Sequence, residues 1–261
     1  MTPPALSELN ELLARSAESG DLASLRRILA SAPADADFGS ALREAASRGF
    51  ADCVQALIPC CLGNGFGSLA LAAAAGHAEC VKLLIPIGDP MAFDSYCLEW
   101  AVENGRAECA KLLIPVSDPK AKNSSALSLT ALKGHADCVG LLIPVCEPTA
   151  NGSAALRRAA EFGRSQCVKL LLPVSGSLLD DPSLCSSAIS HGRATVLSIM
   201  LAHEPRLADA LDFPAIHADA LRRGFHDLAA FAAAFVDQRE LSSSLSVGSA
   251  PSRSPAHAAR L

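Results

Sequence analysis

The sequence predicts an all-α solenoid of about eight helix–turn–helix units, and three regularities predict it. A glycine returns at Gly20, Gly49, Gly76, Gly105, Gly134, Gly163, Gly192 and Gly224, in steps of 29, 27, 29, 29, 29, 29 and 32 residues. With that glycine as position 0, small residues hold position −4 (Ala45, Ala72, Ala101, Ala159, Ala188, Ala220) and Leu usually holds −7, which together mark one face of a helix. Apolar residues at +4, +5, +8 and +9, such as Cys80, Val81, Leu84 and Ile85, mark a second amphipathic helix after the glycine. A unit this small cannot bury a core alone, so a repeat of this length implies stacking and a long exposed surface.

The elements follow in order within each unit. Small residues on the first helix let a neighbouring helix approach closely, and the glycine suits a turn of positive φ, where a side chain would clash. Pro59, Pro86, Pro115, Pro144 and Pro173 all stand at +10. Lacking an amide proton and restricting the residue before it, proline should end the second helices near Ile58, Ile85, Ile114, Ile143 and Leu172. Pro90, Pro119 and Pro148, each preceded by Asp or Glu, predict short stiff connectors to the next unit. The units at Gly20 and Gly192 have their prolines at +13, Pro33 and Pro205, so their second helices should run longer. The final unit, with Phe225, Phe231 and Phe235 in an alanine-rich helix, should close the stack. The array is expected over 1–236, and 237–261, dominated by Ser, Pro, Gly, Ala and Arg toward its end, is expected to be a disordered tail.

Composition excludes several function classes. A net charge of −5, from 22 basic and 27 acidic residues, gives no electrostatic footprint for nucleic acid. Apolar runs are broken by Lys, Glu, Pro or Gly before the roughly 18 residues that span a bilayer, so no membrane insertion is expected. Residues 1–21 carry Glu8, Glu11 and Glu18 and lack a basic start, which argues against a Sec signal and for a soluble, cytoplasmic protein; delivery into a host cell by another route stays open.

Certain stretches resemble ankyrin repeats. Ala155 to Gly163 (Ala-Leu-Arg-Arg-Ala-Ala-Glu-Phe-Gly) and Gly76 to Leu84 (Gly-His-Ala-Glu-Cys-Val-Lys-Leu-Leu) are similar to the family's first helix with its Ala-Ala pair, its Gly-His turn and its second helix. The likeness spans roughly residues 10 to 236. Two departures stand out. The period is nearer 29 than the family's 33, and forms such as Ser124-Ser125-Ala126-Leu127 replace its Thr-Pro-Leu-His opening. The missing residues fall where the family builds its β-hairpin fingers, so the resemblance implies a helical stack with fingers shortened or absent. It also implies a non-catalytic scaffold that binds a protein partner; no cofactor is expected, and the oligomeric state is left open, with a monomer expected. The alanine-rich wording looks like that of bacterial copies, which include internal partners of cellular enzymes and effectors delivered into host cells.

Chemistry-bearing residues point to the repeat rather than to a reaction. Cys53, Cys80, Cys109, Cys138 and Cys167 all occupy +4 and read as small buried hydrophobes. Packed helices stand roughly 8–10 Å apart, beyond the about 7 Å that a disulfide spans. His77 with Cys80, and His135 with Cys138, have a local zinc-ligand spacing, but the same separation excludes a shared tetrahedral site. Cys60 and Cys61, in a connector, are the cysteines expected to be exposed. No phosphate loop, nucleophile elbow or distinctive carboxylate pair is present, so no catalytic, cofactor or metal residue is assigned.

Position −5 carries the candidate site. In the resembled family it faces the concave groove, and here it reads Arg15, Glu44, Leu71, Trp100, Leu129, Arg158, Ser187, Asp219. Leu71, Trp100 and Leu129 form an apolar centre flanked by Glu44 and Arg158, and positions −2 and −1 add Leu132 and Phe162. An apolar centre inside a charged rim is the anatomy of a protein interface. Three other readings stand beside it. These side chains could fill space left by the shortened fingers, the array could be the regulatory or targeting subunit of an enzyme encoded elsewhere, or the cysteines could make it a thiol- or metal-responsive scaffold.

Overall fold

The computed structural model describes residues 6–61 and 65–248, and among these the chain forms seventeen α-helices and no strand. They fall into two compact units, 1–177 and 178–261. In the first unit six helix pairs follow one another: α1 (Leu6–Ser19) with α2 (Leu22–Leu29), α3 (Phe38–Arg48) with α4 (Ala51–Leu57), and α5 (Phe66–Ala75) with α6 (Ala78–Leu84). Then come α7 (Ala92–Glu103) with α8 (Ala107–Leu113), α9 (Ala121–Lys133) with α10 (Ala136–Leu142), and α11 (Ala150–Glu161) with α12 (Ser165–Leu171). First helices pack against first helices, and second against second, so the pairs build two layers.

The layers meet on leucine. Leu42, Leu69, Leu98, Leu127 and Leu156 at −7 and Leu57, Leu84, Leu113, Leu142 and Leu171 at +8 are fully buried, and the +4 cysteines lie buried beside them. Position −4 is buried alanine except at Ser16 and Thr130; the Thr130 hydroxyl donates to the Ala126 carbonyl at 2.6 Å and so carries no unmet polar group into the core. Each of the eight turn glycines has a positive φ, between 66° and 94°. The second helices end at the residues the prolines predict, and Pro59, Pro115 and Pro173 each continue into a single 3₁₀ turn.

The connectors hold an arrangement that the sequence did not announce. In place of a hairpin finger, α7, α9 and α11 each open with three residues in left-handed conformation: Phe93–Asp94–Ser95, Lys122–Asn123–Ser124 and Asn151–Gly152–Ser153, with φ from 50° to 65°. Such a conformation is disfavoured by roughly 1–2 kcal/mol per residue, least for Gly, Asn and Asp, and the middle residue of each triplet is Asp94, Asn123 or Gly152. The serine closing each triplet is buried and bound to the following connector. Ser95 Oγ accepts from Asp118 N at 2.7 Å, Ser124 Oγ accepts from Glu147 N at 3.1 Å, and Ser153 Oγ donates to Ser175 O at 3.2 Å.

The second unit contains α13 (Pro182–Ser190), α14 (Ala194–His203), the short α15 (Leu207–Ala210), α16 (Phe213–Arg223) and α17 (His226–Gly248). Helix α14 has 10 residues against 7 in α12, as the displaced Pro205 predicts. Phe213 and Phe235 stack with centroids 4.2 Å apart, and His217 Nδ1 lies 2.9 Å from the Ala229 carbonyl oxygen, joining α16 to α17. Helix α17 continues to Gly248, so 237–248 are helical where composition predicted an unstructured start to the tail. Arg239 explains part of this. It donates to the Ala208 carbonyl at 2.7 Å and to Asp209 at 2.6 Å, tying this stretch to α15. The rest of the expected tail, 249–261, lies outside the described residues.

Two outcomes follow from the core. Leu84→Ala should lower unfolding free energy by about 2–5 kcal/mol in denaturant titration, whereas truncation of an exposed second-helix residue such as Gln55 should leave it nearly unchanged. Burial pushes the thiols of Cys80, Cys109 and Cys138 up from 9.0 to about 11. Their raised pKa favours the folded state fully below pH 9, and that contribution is lost as pH rises toward 11. Melting temperature should therefore fall between pH 9 and 11, and fall less steeply in a Cys80→Val, Cys109→Val, Cys138→Val variant.

Candidate interaction site

All seven residues singled out from the sequence lie in the first compact unit. Glu44, Leu71, Trp100, Leu129 and Leu132 are half-buried, and Arg158 and Phe162 are exposed, the latter by 42%. They sit on α3, α5, α7, α9 and the end of α11, which are successive neighbours in the first-helix layer. None belongs to the fully buried leucine core.

Trp100 does not stand alone. Its ring packs on Tyr96, one turn earlier on α7, with centroids 4.8 Å apart and planes tilted by 46°. Phe66, the first residue of α5, lies 6.5 Å from Tyr96 and 5.0 Å from Phe93. The left-handed triplet sets up this cluster locally. Ser95 is held by Asp118 N, and the two residues before it are turned outward, leaving Phe93 73% exposed. Met91, just before α7, is 58% exposed. Beside the rings is a cleft of about 470 Å³ lined by Phe66, Phe93, Asp94, Tyr96 and Lys122. It opens at the N-terminal ends of the first helices, where a hairpin finger would otherwise project.

The charges at this site are arranged unevenly. Lys122 Nζ lies 3.5 Å from Glu99 Oε2, and the Glu99 side chain is only 15% exposed. Glu99 also accepts from Ser125 Oγ at 3.0 Å. Asp94 is exposed and makes no hydrogen bond or ion pair among the described residues. Farther along the same layer, Lys133 pairs with Glu103 at 3.4 Å.

Sequence reasoning missed Phe66, Met91, Phe93 and Tyr96. The signal for one of them was present: the chain has one tryptophan and one tyrosine, spaced four residues apart on a predicted helix. Phe66 and Phe93 carried no such signal, because their meeting depends on how α5 docks on α7.

The turn and cysteine residues have structural surroundings. His77 Nε2 lies 3.0 Å from the Ser47 carbonyl, while Arg106 and Arg164 donate from Nε to the Ala74 and Leu132 carbonyls at 3.1 and 2.9 Å. The +1 side chain thus reaches back to the carbonyl two residues before the preceding unit's glycine. Cys60 is exposed as expected, but Cys61 is buried, which corrects the expectation that both would be exposed. The 3₁₀ turn of Ile58–Cys60 aims adjacent side chains in different directions, and burial pushes the Cys61 thiol up to about 11. Among the described residues no group of three or more His, Cys, Asp or Glu is placed to hold a metal ion, and no helix is long and apolar enough to cross a membrane.

A family model described as ankyrin repeats (3 copies) matches residues 13–94 and 98–182. A comparison with curated proteins finds no match. Ankyrin repeats are generally protein–protein interaction modules and typically non-catalytic.

The half-buried position of Trp100 has a spectroscopic consequence. Acrylamide should quench the native fluorescence, and Tyr96→Ala should raise the quenching constant by uncovering the indole. Native fluorescence that resists acrylamide until denaturant is added would place Trp100 in the core.

Proposed function

The chain belongs to the ankyrin repeat family, and on that premise we propose that it is a non-catalytic scaffold that captures a protein partner on the face centred on Trp100. The observation that carries this reading is the aromatic cluster of Phe66, Phe93, Tyr96 and Trp100 on the neighbouring helices α5 and α7, in which Phe66, Tyr96 and Trp100 are half-buried and Phe93, with Met91 beside it, is exposed. Exposed apolar area gathered in one place is where interfaces form, and tryptophan and tyrosine are enriched among the residues that dominate them. Leu71, Leu129, Leu132 and Phe162 extend the apolar surface, and Glu44 and Arg158 form its charged rim.

Among the described residues no hairpin finger is present, and this changes how such a scaffold works. A partner meets the helix ends and the left-handed turns directly, so recognition rests on side chains fixed to helices rather than on hairpin tips. We place the protein in a reducing cytoplasm, as a regulator or as an effector delivered into another cell. Ten free cysteines, nine of them buried, are compatible with that setting.

Affinity capture from lysate with wild type and Trp100→Ala side by side tests the reading. Trp100→Ala should lose the captured partner, at about 2 kcal/mol or more in binding, while helical content and melting temperature stay unchanged. Retention of the same partner by a folded variant would move the site off this face.

A further inference from the structure

The cleft beside Trp100 has a chemistry that selects among partners, and the inference drawn from it rests on the protein-binding reading above. Its walls are the rings of Phe66, Phe93 and Tyr96. The face of an aromatic ring carries the negative end of its quadrupole and attracts cations. One carboxylate, Asp94, stands at the cleft without a partner, while the one cation in the lining, Lys122, is engaged by Glu99. The site therefore offers three ring surfaces and one uncompensated negative charge.

We propose that this cleft binds an arginine side chain of the partner, with the guanidinium against the aromatic rings and paired to Asp94. Each part of the side chain has a matching surface. The methylene stem lies along apolar ring, as cationic side chains do when the charge remains hydrated at its tip. The guanidinium is planar, stacks on ring faces, sheds water more readily than an ammonium and pairs with a carboxylate through two parallel N–H donors. A lysine ammonium would be drawn to the same charge but lacks the flat surface and the fork. An acidic side chain would face Asp94 and the negative ring faces. The volume of about 470 Å³ accommodates an extended side chain together with part of its neighbours. Asp94 suits the role because Asp tolerates its φ of 58°, so the charge is displayed from a backbone pinned at Ser95.

The test is titration of the full chain with three tripeptide amides, acetyl-Gly-X-Gly with X arginine, citrulline or lysine, following Trp100 fluorescence and amide chemical shifts. Arginine should give saturable changes at Tyr96 and Trp100. Binding should weaken about tenfold or more with neutral citrulline and with Asp94→Asn, since a charge-assisted pair is lost in each. Asn also tolerates left-handed φ, so the variant keeps the turn, which unchanged chemical shifts away from the cleft would verify. Phe93→Ala should weaken arginine binding and leave melting unchanged. Equal binding of citrulline, no effect of Asp94→Asn, or no saturable response would overturn the proposal, and lysine binding as well as arginine would overturn the choice of guanidinium. If arginine fails while Trp100→Ala still loses its protein partner, the scaffold reading stands and only the arginine pocket falls.

Discussion

Everything in this array depends on how one backbone atom is covered. The turn glycine must adopt positive φ, and the side chain at +1 of the next unit lies directly over it. A Cβ on Gly76 would stand 2.8 Å from Arg106 Cδ, and one on Gly134 would stand 2.7 Å from Arg164 Cδ. The glycine is therefore required twice, once by its own dihedral angles and once by its neighbour's contact. The covering side chain is His, Arg or Phe, which explains why this position varies so freely. The task is to fill the space over a glycine, and a polar tip that reaches a helix-end carbonyl is an addition several units make and others omit.

From that fixed spacing the two layers follow. Alanine at −4 lets first helices approach, leucines at −7 and +8 meet between the layers, and the +4 thiol is small enough to complete the packing without a partner. Shortening the repeat to 29 residues leaves these contacts intact because the deletion falls wholly in the connector. At the starts of α7, α9 and α11 a left-handed triplet stands in place of a hairpin, and the serine that opens the Ser-x-x-Leu phrase of each of these three units holds the connector in place. The same replacement presents Phe93 and Asp94 beside Tyr96 and creates the aromatic cleft.

Most of the fold was legible because it is periodic. Gly76, Pro86 and Leu84 announce turn, helix end and core by recurring in register, and the structure places them accordingly. The left-handed triplets were not legible, since Phe93 and Lys122 have no preference for that conformation and take it only as part of a closed connector. The site was legible in half. Trp100 stood out as a lone tryptophan in a variable column, but the ring cluster around it joins two helices and a strained turn, which spacing within one helix does not reveal. Cys61 failed for a related reason, because two adjacent connector residues share a sequence context and not a direction.

Every closure described here points the same way along the chain. Gly76 is covered by Arg106, and Ser95 receives its bond from Asp118, so a unit is completed only by the unit that follows it. A ribosome delivers the chain from the other end, at about 5–20 residues per second. Each repeat must therefore wait, with its turn uncovered and its connector unpinned, until the next has emerged. Folding during synthesis should advance one repeat behind the growing chain, and a chain cut between repeats would always end in an unfinished one.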